Sequence, residues 1–170
     1  MQLILVRHAD AEPSAATDAA RPLTALGRAQ AAALCRGLGR VGVVPDVILS
    51  SPAVRCRETA AALVPLAPGL AVTETPALAS GRLDADALFD AIGHARCAVA
   101  VGHMPDIASF AECTLGAWGG VGDSMPFAKC AAASISYPGG PNESAGTLDW
   151  FVPPTWFMDQ GERRGSDHPG

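Results

Sequence analysis

The sequence predicts an α/β fold, a three-layer sandwich with a mostly parallel central sheet and helices on both faces. Three short aliphatic runs, Leu3–Val6, Val47–Leu49 and Ala98–Val101, each stop abruptly at polar residues. Runs of this kind are the pattern of strands buried on both faces. Stretches of helical periodicity lie between them, and strands alternating with helices give a mostly parallel sheet. No internal repeat and no linker interrupts the order.

After the first strand, residues 7–22 are rich in Ala, Asp, Ser and Pro without a period, and read as a long loop. Thr24–Leu38 reads as a helix with Thr24 at the N-cap, Leu26, Ala29 and Ala33 as its inner stripe, Leu34 and Leu38 widening it, and Gly39 as the stop. The second strand runs into Ser50-Ser51-Pro52, a helix start with Ser51 as cap, and that helix extends from Ala53 to about Leu63. Ala71–Glu74 is a short strand. Asp84–Ile92 is a helix with Leu88 and Ile92 inward, and another helix follows the third aliphatic run over Pro105–Leu115. Ala131–Tyr137 and Thr147–Val152 are closing strands separated by the turn-rich PGGPNESAG. Residues 1–158 are read as a single domain and 159–170 as a flexible C-terminal tail.

Composition narrows the function classes. At 170 residues and 49% hydrophobic, the chain can bury a full core. A net charge of −5 does not suit a nucleic-acid partner, so any positive charge for anion binding must be gathered in a pocket. The five cysteines are odd in number and none are spaced as a metal pair, which fits a reducing compartment, with Cys35 and Cys97 as buried small hydrophobes. No run is long enough to span a membrane and the N-terminus lacks a signal pattern, so the expected location is cytoplasmic.

The polar clusters gather at strand exits: Arg7-His8 after the first aliphatic run, Ser50 to Arg55 after the second, Gly102-His103 after the third. In open α/β sheets ligands bind at the carboxyl ends of strands. Two arginines and two histidines there make an oxyanion site. Arginine forks match phosphate oxygens. One neutral imidazole can act as nucleophile, and the other can donate a hydrogen bond when protonated. No metal and no cofactor is expected, because the arginines supply the neutralising charge and there is no P-loop pattern or metal-type carboxylate pair.

The segments LVRHADAE, RPLTALGRAQA, ILSSPAVRCRETA and VGHMPDI, in that order, resemble the histidine phosphatase superfamily, which includes the phosphoglycerate mutases. The short length and the RPLT segment are similar to its SixA-type branch of protein-histidine phosphatases. The resemblance implies a phosphoglycerate mutase-like fold, His8 as the nucleophile that becomes phosphorylated, Arg7 and Arg55 as phosphoryl clamps, and His103 completing the pocket. It also implies Arg21 as an additional phosphate or substrate contact. Arg57, two positions beyond Arg55, faces solvent.

Two departures matter. Ala9 stands where the family has glycine, and Ala77 falls where many members carry a glutamate general acid. Asp84, Asp86 and Asp10 are the remaining candidates for an acid, although Asp84 and Asp86 fit a helix N-terminal turn equally well. General acid help is typically worth about 10²–10⁴-fold for a poor leaving group. Phosphohistidine, whose ring leaves readily once protonated, suffers less from a missing acid. The expected activity is therefore metal-independent hydrolysis of a phosphoryl group, most readily that of protein phosphohistidine in a signalling or phosphotransfer partner. A phosphatase for small phosphorylated metabolites and a non-catalytic phosphate-binding module are the alternatives. Residues 116–122 are read as either a lid or a plain surface connection.

Overall fold

The computed structural model describes residues 1–116, 125–140 and 145–158. The tail expected over 159–170 and residues 117–122 of the Gly-rich stretch lie outside the described residues.

Ten main elements follow one another: β1 (Gln2–Arg7), α1 (Ala25–Arg40), β2 (Val47–Ser50), α2 (Val54–Ala61), β3 (Val72–Glu74), α3 (Ala85–Ile92), β4 (Cys97–Gly102), α4 (Asp106–Thr114), β5 (Ala132–Ser136) and β6 (Thr147–Val152). The strands form one sheet in the order β3-β2-β4-β1-β5-β6. The pairs β1/β4, β2/β4 and β2/β3 are parallel; β5 and β6 join antiparallel at one side. The predicted mostly parallel sheet is borne out.

Alternation along the strands sorts the core into two layers. Leu3 and Leu5 of β1, with Ala98 and Ala100 of β4, pack against Leu88 and Ile92 of α3 and Ile107 and Phe110 of α4. Ile4 and Val6, with Val99 and Val101, face Leu34 and Leu38 of α1 and Cys56 and Ala60 of α2. A strand buried on both faces has no polar position to spare, which is why these runs are continuously aliphatic.

Several local expectations change. Helix α1 keeps Thr24 as its N-cap, the hydroxyl accepting from Gly27 N at 3.0 Å, but it runs past Gly39 to Arg40. Its buried positions include Gly27, Ala31, Leu34 and Gly37 rather than Leu26 and Ala29. The reason is close approach: a Cβ on Gly27 would lie 1.9 Å from the Asp10 carbonyl oxygen, and one on Gly37 would meet the Phe157 ring at 2.1 Å. Helix α2 is shorter than expected, and its N-cap is Ala53, without a side-chain cap bond; the Ser51 hydroxyl lies 2.8 Å from His103 Nε2 and accepts from Ala53 N at 3.4 Å. Cys35 and Cys97 are half-buried, whereas Cys56 and Cys130 are fully buried.

Candidate active site

Register builds the site. Arg7 at the end of β1 pairs with Gly102 at the end of β4, and Ser50 at the end of β2 pairs with Val101. The next residues, His8, His103 and Ser51, therefore leave the sheet at one level. Backbone bonds continue the ladder past the strand ends: His8 N donates to Gly102 O at 3.0 Å, Cys130 N to His8 O at 3.1 Å, and Ser51 N to Val101 O at 3.0 Å.

His8 is 9% exposed. Its Nδ1 lies 2.8 Å from the Ala9 carbonyl oxygen. A carbonyl only accepts, so Nδ1 carries the proton and Nε2 keeps its lone pair. Burial pushes the His8 pKa down to about 4, with Arg55, His103 and Arg7 adding to the fall and the Ala9 carbonyl opposing it. The ring is thus a neutral base with a defined nucleophilic nitrogen at neutral pH.

His103 is buried, and its Nδ1 lies 3.3 Å from Nη2 of Arg55. Arginine has no acceptor, so Nδ1 accepts, and in the neutral ring Nε2–H donates to Ser51 Oγ at 2.8 Å. Burial pushes its pKa to about 4 as well; Arg55 and Arg21 add to this, and Asp106 and Asp18 oppose it. An oxyanion in the cleft acts in the opposite direction and favours the imidazolium. The buried Cys56 thiol sits 3.5 Å from the same Nε2, and burial pushes its own pKa up to about 12, so it stays protonated.

The two arginines come from different elements, Arg7 from the end of β1 and Arg55 from α2. Arg55, in the first turn of α2 and 4% exposed, directs Nη1 to the Asp18 carbonyl at 2.7 Å and Nη2 to the Asp18 carboxylate at 3.0 Å. Arg7 donates Nη1 to the Phe127 carbonyl at 2.7 Å. In both side chains Nε is buried without a protein partner. Two orphaned buried guanidinium N–H groups beside two histidines suit an incoming anion, because a donor shut off from water and left unpaired is costly. Arg55 and His103, with Ser51, Ser80 and Asp18, line a cleft of about 180 Å³.

The remaining candidates fall elsewhere. Arg21 is one ion pair away from the cleft: its Nε meets Asp18 Oδ1 at 2.9 Å and its Nη1 the Glu12 carbonyl at 3.0 Å. Arg57 is half-exposed and pairs with Glu74 at 3.3 Å. Asp84 caps α3 by accepting from Ala87 N, and Asp86 lies in the first turn of that helix. Asp10 is a structural group, bonded to Lys129 and to the Thr24 hydroxyl, each at 2.6 Å. Burial alone would raise its carboxyl, but those hydrogen bonds outweigh it and hold the group below the usual carboxylate range. Asp10, Asp84 and Asp86 are not among the residues lining the cleft, and neither are Arg7 and His8; the His8 ring lies 5.4 Å from the His103 ring, which does line it.

Two residues at the site escaped the sequence reading. Asp18 is the only carboxylate among the described residues lining the cleft, and Ser51 looked like a helix cap. An acidic residue three positions before Arg21 is the one local signal that pointed toward Asp18. No group of three or more potential metal ligands occurs among the described residues, and no helix among them is long and apolar enough to cross a membrane.

Comparison with known proteins bears on the family and the fold. Residues 3–85 match the family model of the histidine phosphatase superfamily (branch 1). No curated protein matches the chain. The fold is similar to that of the protein histidine phosphatase SixA complexed with tungstate, with a TM-score of 0.78 and 22% identity over 91% of this chain and 98% of that one. A protein from Nakamurella multipartitia assigned as phosphohistidine phosphatase SixA gives a TM-score of 0.73 and 26% identity, covering 89% of this chain and 94% of that one. A similarly assigned protein from Agrobacterium tumefaciens gives 0.72 and 24%, covering 89% and 96%. The resemblance drawn from the four sequence segments, and the phosphoglycerate mutase-like fold, are borne out.

Proposed function

We propose that this chain is a histidine phosphatase that transfers a phosphoryl group to Nε2 of His8 and then to water, with protein phosphohistidine as the substrate. The observation that carries the reading is the hydrogen bond from His8 Nδ1 to the Ala9 carbonyl, which leaves Nε2 as a lone pair beside Arg7, Arg55 and His103. A binding module needs the arginines but has no use for a nucleophile of fixed tautomer.

The bonds balance without an external acid. His8 Nε2 forms a bond to phosphorus as the substrate N–P bond breaks, and the electron pair returns to the substrate ring. Water then attacks phosphorus, His8 leaves as neutral imidazole, and both water protons stay with the phosphate released. Arg55 and Arg7 offset the charge on the transferring oxygens, and His103, once protonated, donates to one of them. The phosphohistidine assignment is supported by a cleft whose single carboxylate among the described residues is tied to arginine, a poor setting for protonating an alkoxide.

Turnover of a phosphohistidine peptide and of p-nitrophenyl phosphate, by the native chain and by His8→Ala, tests the reading. Faster cleavage of the phosphohistidine peptide, abolished in His8→Ala, is expected. A preference for small phosphate esters would transfer the assignment to the metabolite reading, and inactivity on both would favour the binding module.

A further inference from the structure

The carboxylate at the cleft is held in an unusual way. Asp18 opens a single 3-10 turn, Asp18–Ala20, capped by Thr17. Its two oxygens have different partners: Oδ1 takes Arg21 Nε at 2.9 Å, and Oδ2 takes Arg55 Nη2 at 3.0 Å. Arg21 is anchored in turn on the Glu12 carbonyl. The Asp18 side chain is 70% exposed and that of Arg55 only 5%, so a surface anion covers a buried cation at the entrance to the site.

That arrangement has two consequences for a phosphoryl substrate. An oxyanion reaching Arg55 competes with Oδ2, while the bond from Arg21 to Oδ1 is untouched. Displacement at phosphorus is in line, so the leaving group lies opposite His8, and Asp18 is an exposed carboxylate among the described residues lining the cleft. A carboxylate released from Arg55 but tethered by Arg21 is thereby available to the leaving group.

We propose that Asp18 is a specificity-determining residue that accepts the ring N–H of the departing imidazole, an inference that rests on the phosphohistidine reading above. Phosphohistidine leaves readily only as an imidazolium, and a carboxylate beside that ring favours its charged form. The proton remains on the leaving ring throughout: the imidazolium departs as neutral imidazole, carrying its N–H, as the N–P pair returns to its other nitrogen. Asp18 neither gains nor loses a proton. A phenol or alcohol leaving group offers no cation, and the same carboxylate repels the charge developing on its oxygen. Asp18 thus discriminates by chemistry at the leaving atom, and Arg21 is its positioning residue.

The test is the ratio of kcat/KM for a phosphohistidine peptide to that for p-nitrophenyl phosphate, measured from pH 5.5 to 9 for the native chain, Asp18→Asn and Asp18→Ser. Both variants are expected to lower the ratio at least tenfold, with activity on p-nitrophenyl phosphate rising because Arg55 loses its internal competitor. The high-pH fall in phosphohistidine cleavage shifts to lower pH in both, a change that a purely structural role would not produce. An unchanged ratio and an unshifted limb overturn the inference while leaving the phosphohistidine reading intact. A native chain that cleaves p-nitrophenyl phosphate but not the phosphohistidine peptide overturns both.

Discussion

The rings of His8 and His103 lie 5.4 Å apart, centroid to centroid, at an interplanar angle of 62°. They come from residues 95 positions apart (103 minus 8), each one step beyond a strand end in the β1/β4 register. Burial is the main reason that each ring holds its neutral form to unusually low pH, and the nearby Arg55 adds to the effect at both.

Activity should follow from that. His8 must be neutral to attack, so kcat/KM on p-nitrophenyl phosphate, whose leaving group does not titrate in this range, rises with pH through about 4, and it declines again at higher pH because His103 must take up a proton when the anion binds. Tungstate binding at pH 6 should be accompanied by proton uptake, because the anion raises His103 from a value near 4. Calorimetry in two buffers of different ionisation enthalpy measures the uptake; zero uptake would contradict the role of His103 as the group that becomes cationic.

Stability should lean the same way. Both histidines have folded-state values below their ordinary 6.5, so the unfolded chain binds more protons between about 4 and 6.5. Unfolding free energy therefore falls as pH drops through that window. Urea unfolding at several pH values reads the slope, and His8→Asn should flatten it.

Ser51→Ala removes the oxygen acceptor for His103 Nε2–H and leaves that buried donor only the weak Cys56 sulfur at 3.5 Å, at a cost of about 1–3 kcal/mol. Arg55 still donates to Nδ1, but the ring loses its anchor at Nε2, so kcat should drop roughly tenfold, about 1.4 kcal/mol on the barrier, with KM little changed. Ser51→Thr, which keeps the hydroxyl, should restore much of the rate.

Gly27→Ala tests the support of the nucleophile loop. The added methyl meets the Asp10 carbonyl, which is backbone and cannot swing aside. Destabilisation of about 3 kcal/mol or more is expected from such overpacking, or roughly 6–12 °C in Tm for a chain of this size. Activity should fall with it, since Asp10 is two residues from His8. At Gly37 the obstacle is the Phe157 side chain, so Gly37→Ala should cost stability while leaving the site's kinetics alone. Thermal melts paired with steady-state rates separate the two.

How much of this was legible follows from physical range. The strands that carry Arg7-His8 and Gly102-His103 advertise themselves, because burial on both faces leaves continuous aliphatic runs with polar residues only at their exits. The meeting of Arg55 with His103 then follows from a parallel sheet. Asp18 was visible only as a neighbour of Arg21; that it also grips Arg55 depends on a contact across 37 positions, which no local pattern encodes. The inner face of α1 was read in part: Ala33, Leu34 and Leu38 are buried as expected, whereas Leu26 and Ala29 are not, and Gly27 and Gly37 join the buried face because of what they lack. Asp84, by contrast, acts as the helix cap that its position suggested.

The central claim is a covalent phosphoryl group on His8, and the direct measurement is to trap it. The native chain mixed briefly with a phosphohistidine peptide and quenched in alkali, where phosphohistidine survives, should yield a peptide containing residues 7–10 with one added phosphoryl group on His8. His8→Ala should show neither the modified peptide nor turnover. A phosphoryl group found on another residue, or turnover retained by His8→Ala, would contradict the account.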